Sequence, residues 1–592
     1  MSRPPAPAGR LPAGRQGFSL PARAAFLDRF QRETFDLVIV GGGINGAGIA
    51  RDAAMRGLSV ALLEKGDFAA GTSSKSSKMV HGGLRYLKTR QVHLVREALR
   101  ERGVLLRIAP HLVHPFPYIL PVYEGGRDSR LKLKLGLLAY DLLAGFRRLE
   151  HHRALSREQL LRSEPTLRPD GLRGGFRYLD CLVDDARLTL ATVRSAALHG
   201  AVAVNYAEVT GLERDAGRVT GVHFRDRLDG RTGIAYGRVV VNAAGPWVDQ
   251  VRAMGEVPPI LRPTKGIHLV LPHSSLALSS AVAFPTPDDR MIFAVPYGDY
   301  TYVGTTDTDY RGSPDDVRAD AADVEYLLAA ASATFAQANV SPSDVISVWA
   351  GVRPLVYDEG APSDVPRDYE IEMKPEGLVT IAGGKLTTYR AMAQALVDRV
   401  LAWQGKRFGW SKQPCRTAET PLPGGDFRRF QAFAQATVAT LQEGWGLSPP
   451  VADRLVRTYG TEYVQVLAYA QSDRRLLQPL APGSSVLRAE AVYAAAEEMA
   501  ITLEDFLARR TDLMLFDRNH GLEAAPEAAR LMGDVLGWGR RQQREQVERY
   551  RDAVTQMAAF APAEGGSASG GSEGQLHREP VEPNRPATTA LP

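Results

Sequence analysis

From about Glu33 the chain alternates short apolar runs with stretches whose apolar residues recur every three or four positions, separated by glycine turns. Asp36-Leu-Val-Ile-Val40, Ser59 to Leu63, Arg238-Val-Val-Val-Asn-Ala-Ala-Gly245 and Leu378-Val-Thr-Ile-Ala-Gly-Gly384 carry no polar alternation. They read as strands buried on both faces, as in a parallel sheet. With the helical patterns between them, beginning at Ala47 to Arg56, they predict an α/β region over residues 33–402. Pro421-Leu-Pro-Gly-Gly425 interrupts that texture and places a linker over 403–425. Beyond it, DFRRFQAFAQATVATLQ, LRAEAVYAAAEEMA and PEAARLMGDVLGWG keep apolar residues at helical spacing with no strand-like run, which predicts an all-helical domain over 426–558. The ends differ again. Proline and glycine crowd residues 1–32, and GGSASGGSEG marks 559–592, so a disordered leader and a disordered tail are expected.

Composition changes this picture little. The 592 residues are 44% hydrophobic and 23% charged, ordinary globular usage. Lys+Arg 72 against Asp+Glu 67 leaves +5, too small an excess over this length to indicate nucleic acid. The sequence pI near 9.0 leaves room for a local basic patch on an anionic membrane. Two cysteines, Cys181 and Cys415, cannot make a disulfide framework or a zinc cluster, and a reducing cytosol is the expected compartment. No metal ligand set is expected, and the basic leader lacks the apolar region of a secretory signal.

The first buried strand runs directly into Gly41-Gly-Gly43-Ile-Asn-Gly46, followed by a helical pattern, a turn at Gly57, a second strand and Glu64. Each part has a physical role at a dinucleotide. Gly41 permits the tight turn, Gly43 lets the backbone approach a pyrophosphate, and Gly46 lets helix and strand pack closely. The helix N-terminus favours phosphate, and Glu64 can accept from an adenosine ribose. The small residues ending at Gly245, and Gly383-Gly384 running into a helix that starts with Lys385, Leu386 and Thr387, favour one large cofactor, FAD, laid across a discontinuous domain. A helix start near the isoalloxazine would stabilise charge developing there. Ordinary core strands are the bland alternative.

Candidate chemistry lies in three further places. Gly71 to Tyr86 mixes hydroxyls, lysines and glycines (Ser73, Ser74 and Ser77 among them) and reads as a loop for phosphate and flavin contacts, or as a plain solvated loop. Arg353, in Val348-Trp-Ala-Gly-Val-Arg-Pro-Leu355, sits on extended backbone before a proline, where it must pair with a carboxylate or an anionic ligand. Arg85, Arg353 and Lys385 together would make a cationic pocket for a small phosphate or carboxylate. His268 alternates with Val270 along a strand and is the best candidate for a hydroxyl-proton base, with a satisfied structural histidine as the other reading.

At these residues the sequence resembles the FAD-dependent, respiratory glycerol-3-phosphate dehydrogenase family of aerobic bacterial type. The matching blocks are DLVIVGGGINGAGIARDAAMRG, SSKSSKMVHGGLRYL, VNAAGPWVD, RPTKGIHLV, VGTTDTDY, GVRPL, PRDYEI and AGGKLTTYRAMA, with TLEDFLARRTDL similar to the family's helical domain. The resemblance implies a Rossmann-type FAD-binding domain, an interleaved antiparallel-sheet substrate domain and a C-terminal helical domain. It implies oxidation of sn-glycerol 3-phosphate at C2 to dihydroxyacetone phosphate, with hydride passing to FAD and electrons going on to a membrane quinone. Arg85, Tyr86, Arg353 and Lys385 then fall at the substrate end. The arginines hold phosphate, while Lys385 polarises the C2 oxygen or joins the phosphate clamp. The glycine turn, Glu64 and the serine loop contact FAD.

Ser129 to Arg148 has basic ends and an apolar middle, fit for a membrane interface or for a core helix with snorkelling lysines. The expected location is therefore the cytoplasm, peripherally attached to the membrane. A homodimer is a further partner expectation. An oxidase passing electrons to O2 stands as the alternative activity. A non-catalytic flavin-binding protein would lack one of the three cations, and an amine oxidase would not need them.

Overall fold

The computed structural model describes residues 18–87, 91–126, 129–145, 149–286, 288, 290–336, 340–357 and 368–560. Residues 1–17 of the expected leader, the tail from 561, Pro366 and Arg367 of PRDYEI and the last three residues of the 129–148 stretch lie outside them.

Two sheets organise the α/β region. The first runs in the order Tyr369–Met373, Leu378–Gly383, Thr232–Asn242, Phe35–Val40, Val60–Leu63 and Val202–Val204. Its inner neighbours are parallel, and Tyr369–Met373 lies antiparallel at the edge. Leu37, Val38, Ile39, Val239, Val240 and Val241 are fully buried, the outcome of continuous apolar runs in a sheet covered on both faces. Helices Ile44–Met55, Asp185–Leu198 and Tyr389–Phe408 pack against one another over it. The second sheet is almost wholly antiparallel. It is drawn from two separate stretches of chain, Met79 to Val183 and Leu261 to Val356, so the two domains interleave. Its one parallel pair joins Ala281–Pro285 to Val113–Tyr123.

The structure corrects three boundaries. Residues Leu20–Arg32, expected as disordered leader, form a helix capped by Ser19. Phe26, Leu27 and Phe30 enter the first sheet's core, with Phe30 edge-on to Phe35 and Phe224. Arg23 pairs with Asp226 at 2.9 Å, both buried. Those apolar positions have helical spacing, but the proline-rich residues before them masked it. The last α/β helix continues to Phe408, past 402, and Phe560 packs against the second sheet, past 558. The 403–425 stretch is also tied down: Arg51 donates to the carbonyls of Thr417 (3.1 Å) and Thr420 (2.6 Å), and Leu422 is buried.

Beyond the linker come helices Phe430–Trp445, Pro449–Tyr459, Tyr463–Ser472, Arg488–Glu497, Leu503–Arg509, Leu513–Phe516, Ala525–Leu536 and Arg540–Ala558, joined by turns. No named strand occurs among the described residues there.

Candidate active site

The carboxyl ends of Phe35–Val40, Thr232–Asn242 and Leu378–Gly383 lie side by side, where parallel sheets collect ligands. Gly41 takes φ +110°, and a Cβ there would stand 2.6 Å from the Ala243 oxygen, so only glycine turns the chain here. A Cβ on Gly46 would run into the Gly41 oxygen. Helix Ile44–Met55 starts three residues earlier than its apolar pattern indicates, with Gly43 as its N-cap. Ser73 Oγ accepts from the Ile44 N–H at 2.9 Å and so lies at this helix start, beside Gly43. The Glu64 carboxylate accepts from the Gly42 N–H at 2.6 Å and the Gly66 N–H at 2.8 Å. Burial pushes the Glu64 carboxyl up, and those two donors pull it back. Glu64 thus shapes the turn. Gly245, Gly383 and Gly384 all take positive φ at the two other strand ends. A short 3₁₀ turn over Leu386–Thr388 precedes the helix, which begins at Tyr389, so Lys385 stands before the turn, outside any α-helix.

An edge built from Gly and Ala at three strand ends, with a helix N-terminus aimed into it, fits a long dinucleotide. A Cβ at Gly41 or Gly383 would collide with backbone.

The loop from Gly71 to Tyr86 is the spine of the site. Thr72 Oγ1 donates to the Val352 carbonyl (2.6 Å), Trp349 Nε1 to the Ser76 carbonyl (3.2 Å), and the Tyr302 hydroxyl to the Ser77 carbonyl (2.9 Å). Ser74 Oγ reaches back to the Gly71 carbonyl at 3.5 Å. Ser77, expected at the cofactor, places its Oγ 2.8 Å from His268 Nε2. Farther along, the His81 N–H donates to Thr387 Oγ1 at 3.2 Å. Lys385 Nζ lies 3.7 Å from the centre of the buried Tyr86 ring, a cation–π contact. Arg85 sits in the 3₁₀ turn Leu84–Leu87, and its side chain is outside the described residues.

His268 is 2% exposed and stacks on Trp349, with centroids 4.6 Å apart and planes 12° apart. Gly304 makes room for it, since a Cβ there would strike the imidazole. Its Nδ1 is buried without a hydrogen-bond partner among the described residues. Burial first, then the Arg353 and Lys78 charges, hold its pKa well below the ordinary histidine value, so the ring is neutral. Arg353 lies on strand Ser347–Val356 against Gly266, where a Cβ would meet the guanidinium. It donates to Asp307 (2.9 Å), Thr305 Oγ1 (2.8 Å) and the Thr306 carbonyl (2.9 Å). The carboxylate-paired reading of Arg353 is therefore realised in this structure.

Several residues here were not singled out from sequence. Asp307 and Thr305 orient Arg353, Trp349 supports His268, and buried Lys78 pairs with Asp185 at 2.8 Å. Asp307, Thr305 and Lys78 lie inside the matched blocks, and Trp349 and Asp185 lie outside them, yet the spacing of none says what it touches. A lysine inside an otherwise closed loop was the one signal available for Lys78.

The profile described as FAD dependent oxidoreductase matches residues 36–399, and the profile for the C-terminal domain of alpha-glycerophosphate oxidase matches 415–543. With the cleft above, this defines the class: an FAD-dependent oxidoreductase. The chain is 41% identical over 514 residues to the aerobic glycerol-3-phosphate dehydrogenase of Bacillus subtilis (strain 168), covering 85% of this chain and 91% of the relative. It is 40% identical over 538 residues to the enzyme of that name from Staphylococcus aureus (strain MRSA252), covering 89% and 94%. The X-ray structure of the glycerol-3-phosphate dehydrogenase from Bacillus halodurans complexed with FAD superposes with TM-score 0.77 and 33% identity, over 92% of this chain and 99% of that one. The chain belongs to the aerobic glycerol-3-phosphate dehydrogenase family, and its cofactor is FAD.

Proposed function

We propose that the chain oxidises sn-glycerol 3-phosphate to dihydroxyacetone phosphate. C2 loses a hydride and its hydroxyl loses a proton, leaving the ketone. FAD, when bound, supplies the two-electron acceptor for that hydride. His268 takes the proton, and Ser77 and Trp349 fix the ring in place. Lys385, held on the Tyr86 ring, polarises the C2 oxygen or joins Arg85 and Arg353 at the phosphate. Asp307 aligns Arg353 while lowering its net charge, so Arg353 acts more as a shaped donor than as a bare cation. The observation that carries this reading is the Gly71–Tyr86 loop, which ties the nucleotide helix, His268, Thr387 and Lys385 into one surface.

The test is anaerobic loss of the flavin's visible absorbance on adding sn-glycerol 3-phosphate, with glycerol and glycine as controls. Bleaching by the phosphate ester alone supports the reading, and no bleaching with FAD bound overturns it. Readmitting air separates the two acceptors: slow recovery fits a quinone-linked enzyme and fast recovery an oxidase.

Quinone reduction requires a visit to the bilayer. Among the described residues no helix is long and apolar enough to cross a membrane. Helix Arg130–Ala144, however, exposes Leu131 (67%), Leu135 (58%), Leu138 (57%) and Leu142 (80%), a stripe with spacings of four, three and four. Leu137, Tyr140 and Ala144 bury its other face. Arg130, Lys132 and Lys134 stand beside the stripe. This arrangement supports peripheral attachment to an anionic membrane through this helix.

A further inference from the structure

In the helical domain, the segment from Thr502 to Asp512 reaches the loops beside the glycine turn. Arg509 Nε donates to Asp67 Oδ2 at 2.7 Å, while Arg510 donates through Nη1 to Oδ2 (2.8 Å) and through Nη2 to Oδ1 (3.0 Å). The Asp67 side chain is wholly buried. Each arginine is itself held. Arg509 reaches Asp505 at 2.7 Å and Glu504 at 2.9 Å, and Arg510 donates to the Glu498 carbonyl at 2.9 Å. Asp505 in turn accepts from the Tyr206 hydroxyl at 2.7 Å. Two residues on, Asp512 stands 3.7 Å from Lys78 Nζ and accepts from the Tyr297 hydroxyl at 3.2 Å.

Asp67 lies within the loop that completes the glycine turn. Glu64 grips the Gly42 and Gly66 N–H groups, the Ala69 N–H donates to the Gly42 carbonyl at 3.3 Å, and the Phe68 ring fills the space a Cβ on Gly42 would need. Lys78 ends the serine loop that carries Ser73 and Ser77. One segment of the helical domain therefore holds both loops that border the cleft. A buried carboxylate gripped by two guanidiniums has a fixed position, and it adds no net negative charge beside a cleft shaped for a pyrophosphate.

We infer that the C-terminal domain is a positioning clamp for the cofactor: Arg509 and Arg510 hold the Glu64–Phe68 loop through Asp67, and Asp512 holds the serine loop through Lys78. The inference rests on the reading of the Gly41–Gly46 turn as the FAD cleft.

The experiment measures FAD affinity of the full chain, by quenching of flavin fluorescence on adding FAD to apoprotein, together with the visible circular dichroism of bound flavin. Arg510→Gln is expected to weaken FAD binding by about 5- to 150-fold, the range of coupling between distinct sites, and to change the flavin dichroism. Arg454→Gln is the control. It breaks a buried pair with Glu490 (2.8 Å) elsewhere in the helical domain and should lower Tm while leaving the FAD Kd unchanged. Should Arg510→Gln fail to fold, Asp512→Asn, which keeps the size of the side chain, is expected to weaken FAD binding in the same direction. Wild-type Kd and dichroism in whichever of these variants folds would overturn the clamp. Glu64→Gln separates the two levels: unchanged affinity there defeats the cleft assignment itself, whereas weakened affinity there alone defeats only the clamp.

Discussion

The glycine-lined cofactor edge and the proposed substrate end of this site are built by opposite means. At the cofactor edge the determinants are backbone and the absence of side chains. Gly41 and Gly46 leave no room for a Cβ, and the chemistry offered is that of N–H groups and a helix end. At the substrate end the determinants are side chains held by other side chains: His268 by Ser77 and Trp349, Arg353 by Asp307 and Thr305, Lys385 by Tyr86. The first kind of site tolerates no added volume. The second also needs glycine beside His268 and Arg353, and it depends besides on partners distant in sequence.

The contrast can be broken at its strongest point first. Gly46→Val should abolish FAD binding altogether, since its Cβ would fall inside the Gly41 oxygen; flavin absorbance of the purified protein reads it. At the substrate end His268→Gln should bind FAD normally and lose about 10²- to 10⁴-fold in kcat, the usual worth of a positioned base, measured by steady-state kinetics. Asp307→Asn should raise KM for the phosphate ester more than it lowers kcat, because it frees Arg353 from its aligned position without touching the base. A variant that lost FAD instead would show that the two ends are not separable.

Acid sharpens the same difference. Burial first, and Arg187 second, hold the His111 pKa at about 3, and His268 is also held far below its ordinary value. Unfolded histidines take protons from about pH 6.5 downward while these two refuse them in the fold. Their contribution is thus intact above that pH and is lost as pH falls toward about 3 for His111. Tm against pH should therefore fall less steeply in His111→Gln than in the unsubstituted chain. The smallest effect on stability is expected from Leu135→Ser with Leu142→Ser on the exposed stripe. It should stay within about 0.5 kcal/mol per surface substitution while reducing flotation with anionic vesicles.

What was legible follows from the same contrast. The glycine turn, its strands and Glu64 are contiguous in sequence, and steric requirements at fixed spacing leave a fixed pattern. His268, Arg353 and Lys385 could be nominated by residue type and by resemblance. Their partners could not, because Arg353 meets Asp307 across 46 positions and Arg510 meets Asp67 across 443. No local period records such pairings. The contact between Ser77 and His268 was hidden for this reason: a hydroxyl in a polar loop carries no sign of which neighbour it will find. The helix Leu20–Arg32 was lost to a different cause, the proline- and glycine-rich residues just ahead of it, although Phe26, Leu27 and Phe30 already had the spacing of a buried helical face.

The order of strands in the first sheet also has a consequence for biosynthesis. Phe35–Val40 leaves the ribosome early, but its neighbour Thr232–Asn242 and the next strand, Leu378–Gly383, follow hundreds of residues later, and Asp67 waits for Arg510. A nascent chain thus displays an unfinished, apolar-edged nucleotide turn for most of its translation. The pieces that close the turn are thus complete only once the helical domain has been made.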